Sequence, residues 1–150
     1  MSDKYDSLKL ENQLCFPLYS ASREITRTYQ PFLEKIHLTY TQYITMMVLW
    51  EHESLNVKSL GKYLLLDSGT LTPLLKKLED KDLIVRKRNK EDERNLIIEL
   101  TDKGRELKEE ALFVPQSIIA KLNLSQEEAI FLYKILYKII QQLQECANKN

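Results

Sequence analysis

The sequence has little cysteine, no long apolar run and no excess charge of either sign. Its two cysteines, Cys15 and Cys146, are too few for a disulfide scaffold, and the two histidines are too few and too scattered to complete a zinc motif. No apolar run approaches the roughly 18 residues that cross a bilayer. The amino-terminal residues lack the basic and apolar parts of a secretory signal. We therefore expect a cytoplasmic protein with no membrane partner, no metal site and no cofactor.

The balance of charge limits how the chain can meet other molecules. Lysine and arginine together number 22, as do aspartate and glutamate, so the net charge provides no long-range attraction to a polyanion. A chain of 150 residues fits one domain, but a domain of this size buries only about two thirds of the surface that it exposes when unfolded. Contact with nucleic acid therefore needs a local basic patch, and a second copy of the chain would cover part of the remaining surface.

Apolar spacing and capping signals predict two helices in the first third of the chain. Apolar residues over 14–32 recur at intervals of three, four and seven, which is typical of an amphipathic helix. Pro17 indicates that this helix begins near Cys15 or kinks there. A threonine and a glutamine in the segment 39–42 form a capping box, which predicts a second helix that ends near Glu53.

A short helix, a tight turn and another helix follow. Asn56 is a suitable cap for a third helix over about 57–65, and the Asp-Ser-Gly of 67–69 is a strong turn signal. The fourth helix is predicted over about 69–81 with four leucines on one side. This start places Pro73 in the first turn, where proline is tolerated.

The rest of the chain predicts a hairpin and two helices. The β-prone runs 83–88 and 95–100 are separated by the polar residues 89–94, which form an exposed tip. Thr101 is a cap for a fifth helix that runs to about residue 121, and Ser125 begins the capping box of a sixth. The apolar residues of the sixth helix cover more than one stripe, so part of this surface is expected to meet a second subunit.

The order of helix, tight turn, helix and basic hairpin predicts a winged helix-turn-helix. The expected fold class is mainly α with a small β wing, an α+β protein with six helices. In this fold the second helix of the pair enters the major groove, where short hydroxyl side chains approach base edges or phosphates and basic side chains bind the backbone. The candidate DNA-binding residues are Ser68, Thr70, Thr72, Lys76, Lys77, Arg86, Arg88, Lys90, Asp92 and Arg94.

The same residues also fit an ordinary surface of solvated charges, and the acidic run Glu91, Asp92 and Glu93 favours that interpretation. The whole pattern favours DNA, because an otherwise neutral protein places eight basic residues between Lys76 and Arg94, beside a helix-turn-helix pattern. An arginine at the tip, Arg94, suits the negative potential of a narrow minor groove. We expect Asp92 to brace it as an ion pair.

Several segments resemble the MarR family of regulators. The segment 66–79, which begins Leu-Asp-Ser-Gly-Thr-Leu-Thr-Pro, is followed by the Asp-Glu-Arg of 92–94, and the likeness covers nearly the whole chain. Within that family, the segments 10–16 (Leu-Glu-Asn-Gln-Leu-Cys-Phe) and 67–73 are similar to the organic-hydroperoxide-sensing repressors of the OhrR group and to the related staphylococcal regulators SarZ and MgrA.

The resemblance implies a homodimer with an intertwined helical interface. In such proteins the first, fifth and sixth helices of two chains intertwine, and two winged-helix lobes contact successive major grooves of a pseudo-palindromic operator. For this sequence it implies one MarR-type domain over 1–150, with dimerisation helices at about 10–36 and 102–146 and the winged helix-turn-helix at about 40–100. This agrees with the surplus apolar surface of the last helix.

Cys15 is the candidate redox sensor. A thiol reacts with peroxide as the thiolate, which needs access to solvent and donors or dipoles that stabilise the anion. With Pro17 in the first turn, Cys15 lies at a helix amino terminus that offers both amides and a dipole, and Tyr19 lies one turn away. The resemblance implies that Tyr29 and Tyr40 of the partner chain donate hydrogen bonds to the cysteine, with Tyr19 nearby. In the opposing interpretation, Cys15 is a small buried core residue surrounded by packed tyrosines.

Cys146 is expected to be a bystander, because it lies near the end of the last helix. Family members that form an intersubunit disulfide place their second cysteine in or near the fifth helix, where this sequence has none. The resemblance therefore implies a one-cysteine route, in which Cys15 becomes a sulfenic acid and then condenses with a low-molecular-weight thiol or oxidises further. Pro17 departs from the aliphatic residue of that family position, which puts the helix geometry around Cys15 in question.

These patterns predict a transcriptional regulator, most simply a repressor, that is not an enzyme and releases its operator when an organic hydroperoxide oxidises Cys15. Three alternatives stay open. The regulator could instead respond to a small aromatic ligand in the dimer cleft, Cys15 could be the nucleophile of a thiol peroxidase, or the hairpin and helices could bind a protein. One observation speaks against a thiol peroxidase. The arginines nearest to Cys15 in the sequence are Arg23 and Arg27, and no arginine lies closer to it.

Overall fold

The computed structural model describes residues 4–88 and 96–147, which divide into two compact units, one up to Val114 and one from Pro115 onwards. In chain order the helices and strands are α1 (Cys15–Leu33), α2 (Tyr40–His52), β1 (Ser54–Asn56), α3 (Val57–Leu64), α4 (Ser68–Asp80), β2 (Ile84–Arg88), β3 (Leu96–Leu100), α5 (Asp102–Glu110), α6 (Phe113–Leu122) and α7 (Gln126–Ala147). Short 3₁₀ turns occupy Asp6–Leu8, Leu10–Asn12 and Glu34–Ile36. None of the helices in the described part of the chain is long and apolar enough to span a membrane.

The predicted start of the first helix is confirmed. α1 begins at Cys15, so Pro17 is its third residue and lies in the first turn, where the missing amide costs no hydrogen bond. The residue before the helix, Leu14, forms no side-chain hydrogen bond to the helix. The amino-terminal amides of α1 are therefore not capped by that residue's side chain.

The side-chain caps of α2 and α3 are also confirmed. The Thr39 hydroxyl accepts from the Gln42 amide at 3.4 Å, and the Gln42 side chain accepts from the Thr39 amide at 3.1 Å, which completes the capping box of α2. The Asn56 side chain accepts from the Ser59 amide at 2.8 Å and caps α3. These bonds form between residues three apart, which is why the sequence alone was sufficient to place both helix starts.

The fourth helix, α4, begins earlier than the sequence predicted. α4 starts at Ser68 because Asp67 accepts from the Thr70 amide at 2.9 Å and caps the helix. The prediction that Pro73 lies in the first turn is therefore wrong, since Pro73 is the sixth residue of α4. Pro73 cannot donate to the carbonyl of Gly69, but both residues are exposed, so water can reach that carbonyl.

The hairpin is confirmed, and it belongs to a three-stranded antiparallel sheet in the order β1-β3-β2. In the register, Ile84 pairs with Leu100 and Arg88 pairs with Leu96. The predicted exposed tip lies outside the described residues, so the structure does not test it. The strand β1 was not predicted, because three residues are too few to show an alternating pattern and this strand exists through its pairing with β3.

The core of the first unit lies between α2, α3, α4 and the sheet, where Met46, Leu60, Leu78 and Ile98 are fully buried. The four leucines predicted for one side of α4 are all buried, and they are Leu71, Leu74, Leu75 and Leu78. The helices rest on the sheet through this apolar face. The polar face of α4 is therefore left to solvent.

The predicted fifth helix is two consecutive helices, α5 and α6. Pro115 has no amide hydrogen and its ring clashes with the carbonyl four residues back, that of Ala111, so the helix ends at Glu110 and the next begins at Phe113. Thr101 caps α5 as predicted, because its hydroxyl accepts from the Gly104 amide at 3.0 Å. The fold class, mainly α with a small β wing, is confirmed.

The second unit contains the long helix α7. Its predicted capping box is present, with the Ser125 amide donating to Glu128 at 2.8 Å and the Glu128 amide donating to Ser125 at 3.2 Å. α7 contains no buried residue. Its exposed large apolar residues are Ile130, Phe131, Leu132, Tyr133, Ile135, Tyr137 and Leu143. So many large apolar side chains exposed on one helix are typical of a surface that contacts another molecule.

Candidate nucleic-acid interface and thiol site

The polar face of α4 presents the hydroxyl and lysine side chains predicted for DNA contact. Ser68, Thr70, Thr72, Lys76 and Lys77 are all exposed. The Thr70 hydroxyl donates to the Asp67 carboxylate at 3.1 Å, and the Thr72 hydroxyl donates to the carbonyl of Ser68 at 2.8 Å. Both hydroxyl hydrogens are thus used within the first turns of α4, and the hydroxyl oxygens keep lone pairs that can accept further hydrogen bonds.

The Asp67 cap stays anionic at the start of this helix. The amide and the hydroxyl of Thr70 both donate to its carboxylate, and they hold the pKa of Asp67 below its ordinary value. A negative cap stabilises the helix amino terminus through the dipole. It also competes with a phosphate for that position, so we expect phosphate contacts to come mainly from the lysines further along α4.

The basic residues of the wing are not equivalent. The guanidinium of Arg86 forms an ion pair with Glu79 of α4, with distances of 2.6 Å from Nη2 and 2.8 Å from Nε to Oε2. Lys87 pairs with Glu99 of the neighbouring strand at 2.5 Å. Arg88 ends β2 with an exposed side chain. Among the predicted wing residues that are described, Arg88 is exposed to solvent, whereas the charge of Arg86 is compensated by Glu79.

Three of the predicted wing residues, Lys90, Asp92 and Arg94, lie outside the described residues. Their roles, including the ion pair between Asp92 and Arg94, stay predictions. The strands that lead to them are described up to Arg88 and from Leu96 onwards.

Cys15 is exposed at the first residue of α1. This position contradicts the interpretation that Cys15 is a small buried core residue. It gives the thiol access to solvent, next to backbone amides that the preceding side chain does not cap. Cys146 is exposed as well, in the last turn of α7.

Two of the three predicted tyrosines lie together. The ring centroids of Tyr29 in α1 and Tyr40 at the start of α2 are 4.9 Å apart, and Tyr43 joins them at 6.0 Å from Tyr29. Burial raises the pKa of Tyr29 and Tyr40. Both phenols therefore stay protonated at neutral pH and can donate a hydrogen bond. The sequence did not single out Tyr43, although its position three residues after Tyr40 places it on the same side of α2.

Within one chain, this tyrosine pair does not reach the thiol. Cys15 and Tyr29 lie 14 positions apart in the same continuous helix, which separates their backbones by about 21 Å. Tyr19 lies one turn from Cys15 on the same side of α1, but it is exposed, with the Arg23 guanidinium 5.5 Å from its ring. The structure therefore brings Tyr29 and Tyr40 together and leaves them apart from Cys15 of the same chain.

An open groove of about 640 Å³ runs beside the tyrosine pair. It lies between α1 and the start of α2, and Tyr40, Thr39, Arg23 and Arg27 are among the residues that line it. Glu24 partly compensates the arginines, at 3.2 Å from Arg27. The groove gives small polar molecules access to the half-buried Tyr40.

The helix pair, the buried leucine face of α4 and the basic wing together define a winged helix-turn-helix protein. Comparison with known proteins agrees. Residues 27–111 match the family described as transcriptional regulator SarA/Rot. The chain is 49% identical over 145 residues to the organic hydroperoxide resistance transcriptional regulator of Bacillus subtilis strain 168, which covers 97% of this chain and 99% of the relative.

Two further comparisons extend this likeness. The regulator SarZ of Staphylococcus epidermidis is 43% identical over 141 residues, covering 94% of this chain and 90% of the relative. The regulator AbfR has been solved on DNA in a reduced and in an overoxidized form, and each superposes with a TM-score of 0.76 at 35% identity, covering 94% of this chain and 99% of AbfR. The chain belongs to the SarA/Rot family of transcriptional regulators, within the winged-helix regulators of the MarR type.

Proposed function

We propose that this protein is a homodimeric, cytoplasmic transcriptional regulator that binds a pseudo-palindromic operator and releases it when an organic hydroperoxide oxidises Cys15. The observation that carries the proposal is the placement of Cys15. It is exposed at the start of α1, whereas the backbone of Tyr29, one of two half-buried phenols suited to stabilise a thiolate, lies about 21 Å away along the same helix. A second copy of the chain brings the two halves of the site together.

The exposed apolar surface of α7 is suited to a dimer interface. α7 carries large apolar side chains on its exposed surface, of which Phe131 is 67% exposed and Leu143 is 65% exposed. We assign the dimerisation helices to about 10–36 and 102–146 and the winged helix-turn-helix to about 40–100, within one functional domain over 1–150. Burial of this apolar surface stabilises the dimer by about 25 cal/mol for each Å² removed from water.

On DNA, α4 enters the major groove and the wing lies along the backbone. Ser68, Thr70 and Thr72 approach the bases, Lys76 and Lys77 bind phosphates, and these roles follow from their common exposed face. Of the wing residues, Arg88 and Lys90 bind phosphate, Arg94 enters the minor groove, and Asp92 orients Arg94. Arg86 acts through its ion pair with Glu79, which holds the wing against α4.

The redox step begins with the thiolate of Cys15. It attacks one oxygen of the O–O bond of the hydroperoxide, the alkoxide leaves and takes up a proton as the alcohol, and Cys15 becomes a sulfenic acid. Sulfur loses two electrons and the peroxide gains them. A low-molecular-weight thiol then displaces the hydroxyl of the sulfenic acid, and the products are a mixed disulfide and water.

We infer that the bulk of the added thiol is what releases the operator. The relative AbfR has been solved on DNA in both its reduced and its overoxidized form, so in that protein overoxidation is compatible with a DNA complex. In this chain a mixed disulfide at Cys15 would displace the partner's tyrosine pair. The distance between the two winged lobes would then change. A dimer that binds two half-sites loses affinity when the spacing of its lobes no longer matches the spacing of the half-sites.

A gel shift with the operator, combined with mass spectrometry of Cys15, tests this proposal. Wild-type protein treated with cumene hydroperoxide and a small thiol should lose operator binding as the mass of the mixed disulfide appears. Cys15→Ser should bind the operator and stay bound after the same treatment, and Cys146→Ser, the matched control, should be released like the wild type. Release of Cys15→Ser would refute the sensor and favour a non-covalent ligand.

The same samples test the enzyme alternative. A regulator consumes about one hydroperoxide per Cys15 before a reductant restores it, whereas a thiol peroxidase turns over continuously with an external thiol. The named relatives are transcriptional regulators, which supports the regulator over the peroxidase. Sustained peroxide consumption by catalytic amounts of protein would contradict it.

A further inference from the structure

A set of hydrogen bonds links the turn before α2 to the end of the recognition helix. Lys81 directly follows α4, and its ammonium group donates to the Gln42 side-chain oxygen at 2.9 Å and to the carbonyl oxygen of His37. The same Gln42 oxygen accepts from the Thr39 amide at 3.1 Å. Gln42 is only 3% exposed, so its side-chain oxygen depends on these protein donors more than on water, whereas the bond to the His37 carbonyl is exposed. Lys81 therefore holds both sides of one turn.

This turn carries a residue of the proposed sensor. Tyr40 is the first residue of α2, directly after the capping Thr39, and packs against Tyr29. On the other side of the turn, His37 has a left-handed backbone with φ of 56°, a conformation that a residue other than glycine adopts at a cost. The Lys81 ammonium binds the carbonyl of this residue. A displacement of Tyr40 therefore moves the groups that Lys81 contacts.

At its other end, Lys81 is part of the structure that reads DNA. It lies four and five positions after Lys77 and Lys76, and its own carbonyl accepts from Lys103 of α5 at 2.8 Å. The amide of Leu83 donates to the carbonyl of Leu78 at 3.1 Å, which continues the chain directly into β2. A shift of Lys81 is thus transmitted to the end of α4 and to the first strand of the wing.

We propose that Lys81 is the positioning residue through which displacement of the tyrosine pair reaches the recognition helix. The proposal rests on the proposed function above, and it adds the structural connection between the tyrosine pair and α4. When the partner's modified Cys15 displaces Tyr40, the His37 carbonyl and the Gln42 side chain move, and the Lys81 ammonium moves the end of α4 with them. Packed elements transmit such a shift because they have discrete arrangements and do not deform continuously.

Lys81→Met tests this connection, because methionine keeps most of the apolar stem and removes the three donors. The quantity measured is the ratio of the operator Kd of oxidised protein to that of reduced protein. Substitutions along a coupling connection change such a ratio by about 2- to 30-fold, and we expect the ratio of Lys81→Met to fall within that range below wild type. Mass spectrometry of Cys15 accompanies each Kd measurement, so that oxidised wild type and oxidised Lys81→Met are compared at the same extent of Cys15 modification.

Lys108→Met is the matched control. Lys108 donates to the carbonyl of Trp50 at 3.2 Å, so it is also an ammonium that binds α2, but at the end of the helix away from Tyr40. Its substitution removes the same charge and a similar hydrogen bond, and the Kd ratio should not change. Lys81→Arg keeps the charge and the hydrogen-bond donors, so its Kd ratio should lie closer to that of wild type than the ratio of Lys81→Met does.

Two outcomes would overturn the proposal. One is a Kd ratio for Lys81→Met equal to that of wild type, with Cys15 modified to the same extent. The other comes from hydrogen exchange on the wild-type protein, a measurement that tests the connection even if Lys81→Met does not fold. Amides at 38–43 and at 81–83 should change protection together on oxidation, and a change confined to 38–43 contradicts the connection. If oxidised wild type keeps its operator, the proposed function itself fails, and the role of Lys81 falls with it.

Discussion

Arg86 of the wing and Glu79 of α4 form an ion pair in which one carboxylate oxygen, Oε2, lies 2.6 Å from Nη2 and 2.8 Å from Nε. The amide of Arg86 also donates to the other carboxylate oxygen at 3.2 Å. The side chains are only 27% and 34% exposed. This single carboxylate therefore fixes the first strand of the wing against the helix that reads DNA.

The pair predicts a pH-dependent contribution to stability. The hydrogen bond and charge of Arg86 hold the pKa of Glu79 below its usual 4.5. A lowered folded-state pKa means that the stabilisation is complete above the unfolded-state value and disappears as the pH falls through the folded-state value. At pH 7 we expect Glu79→Gln to lower the free energy of unfolding by about 1 kcal/mol or less, since the pair is partly solvated.

Urea unfolding at several pH values checks this. The difference between wild type and Glu79→Gln should shrink as the pH falls below about 4.5. Glu106→Gln, which replaces an exposed carboxylate of α5 by the same amide, is the matched control. A Glu79→Gln difference that is constant from pH 7 to pH 3 would contradict the assignment of the effect to the ion pair.

The two wing arginines should differ in the salt dependence of operator binding. Arg88 is exposed, and if it binds a phosphate, Arg88→Ala should weaken binding and reduce the slope of log K against log salt by about 1. The Arg86 charge is already compensated by Glu79, so Arg86→Ala should change the slope much less while lowering protein stability. Binding measured at several salt concentrations distinguishes them, and equal slope changes would show that Arg86 also contacts phosphate.

The tyrosine pair should accelerate oxidation of the cysteine on the other subunit. A hydrogen bond to a charged group contributes about 1.5–3 kcal/mol, so the double variant Tyr29→Phe with Tyr40→Phe should slow Cys15 modification by about tenfold or more. Tyr43→Phe, in the same cluster, is the control. Tyr43 is only 3% exposed, and its loss should affect the rate little.

Mixed dimers show which subunit supplies the phenols. In one dimer, the chain that keeps Cys15 also carries the two phenylalanines, and its partner carries Cys15→Ser with both tyrosines. This dimer should react at the wild-type rate. The reciprocal dimer, with the phenylalanines on the Cys15→Ser chain, should react slowly. The opposite result would place the tyrosines and the cysteine of one chain in the same site, against the separation along α1.

Replacement of Gly104 by a larger residue should destabilise the first unit. A Cβ at this position would lie 2.1 Å from the carbonyl oxygen of Leu83, and the Gly104 carbonyl accepts from the Trp50 indole at 2.7 Å. Backbone must move to admit even alanine, and overpacking of this kind costs about 1–3 kcal/mol or more. We expect Gly104→Ala to lower the denaturant midpoint clearly, and the nearby exposed variant Glu106→Ala to stay within about 0.5 kcal/mol of wild type.

Local signals predicted much of the fold. The capping boxes at Thr39 and Ser125 and the caps at Asn56 and Thr101 all form as predicted, because each bond joins residues three apart in the chain. The start of α4 was wrong by one residue, since Asp67 was assigned to the turn although its side chain caps the helix. β1 was missed because its partner lies more than forty residues away, at Ile97–Glu99.

For the candidate site, the sequence alone determined which residue types are present and on which helix face they lie: the exposed hydroxyls and lysines of α4, Cys15 in a first turn marked by Pro17, and the tyrosines. Only the tertiary structure decided their surroundings. It pairs Arg86 with Glu79, joins Lys81 to Gln42, and keeps Cys15 about 21 Å from Tyr29 along one unbroken helix. The physical reason is that periodicity and capping act over three or four residues, whereas these contacts depend on where distant elements pack.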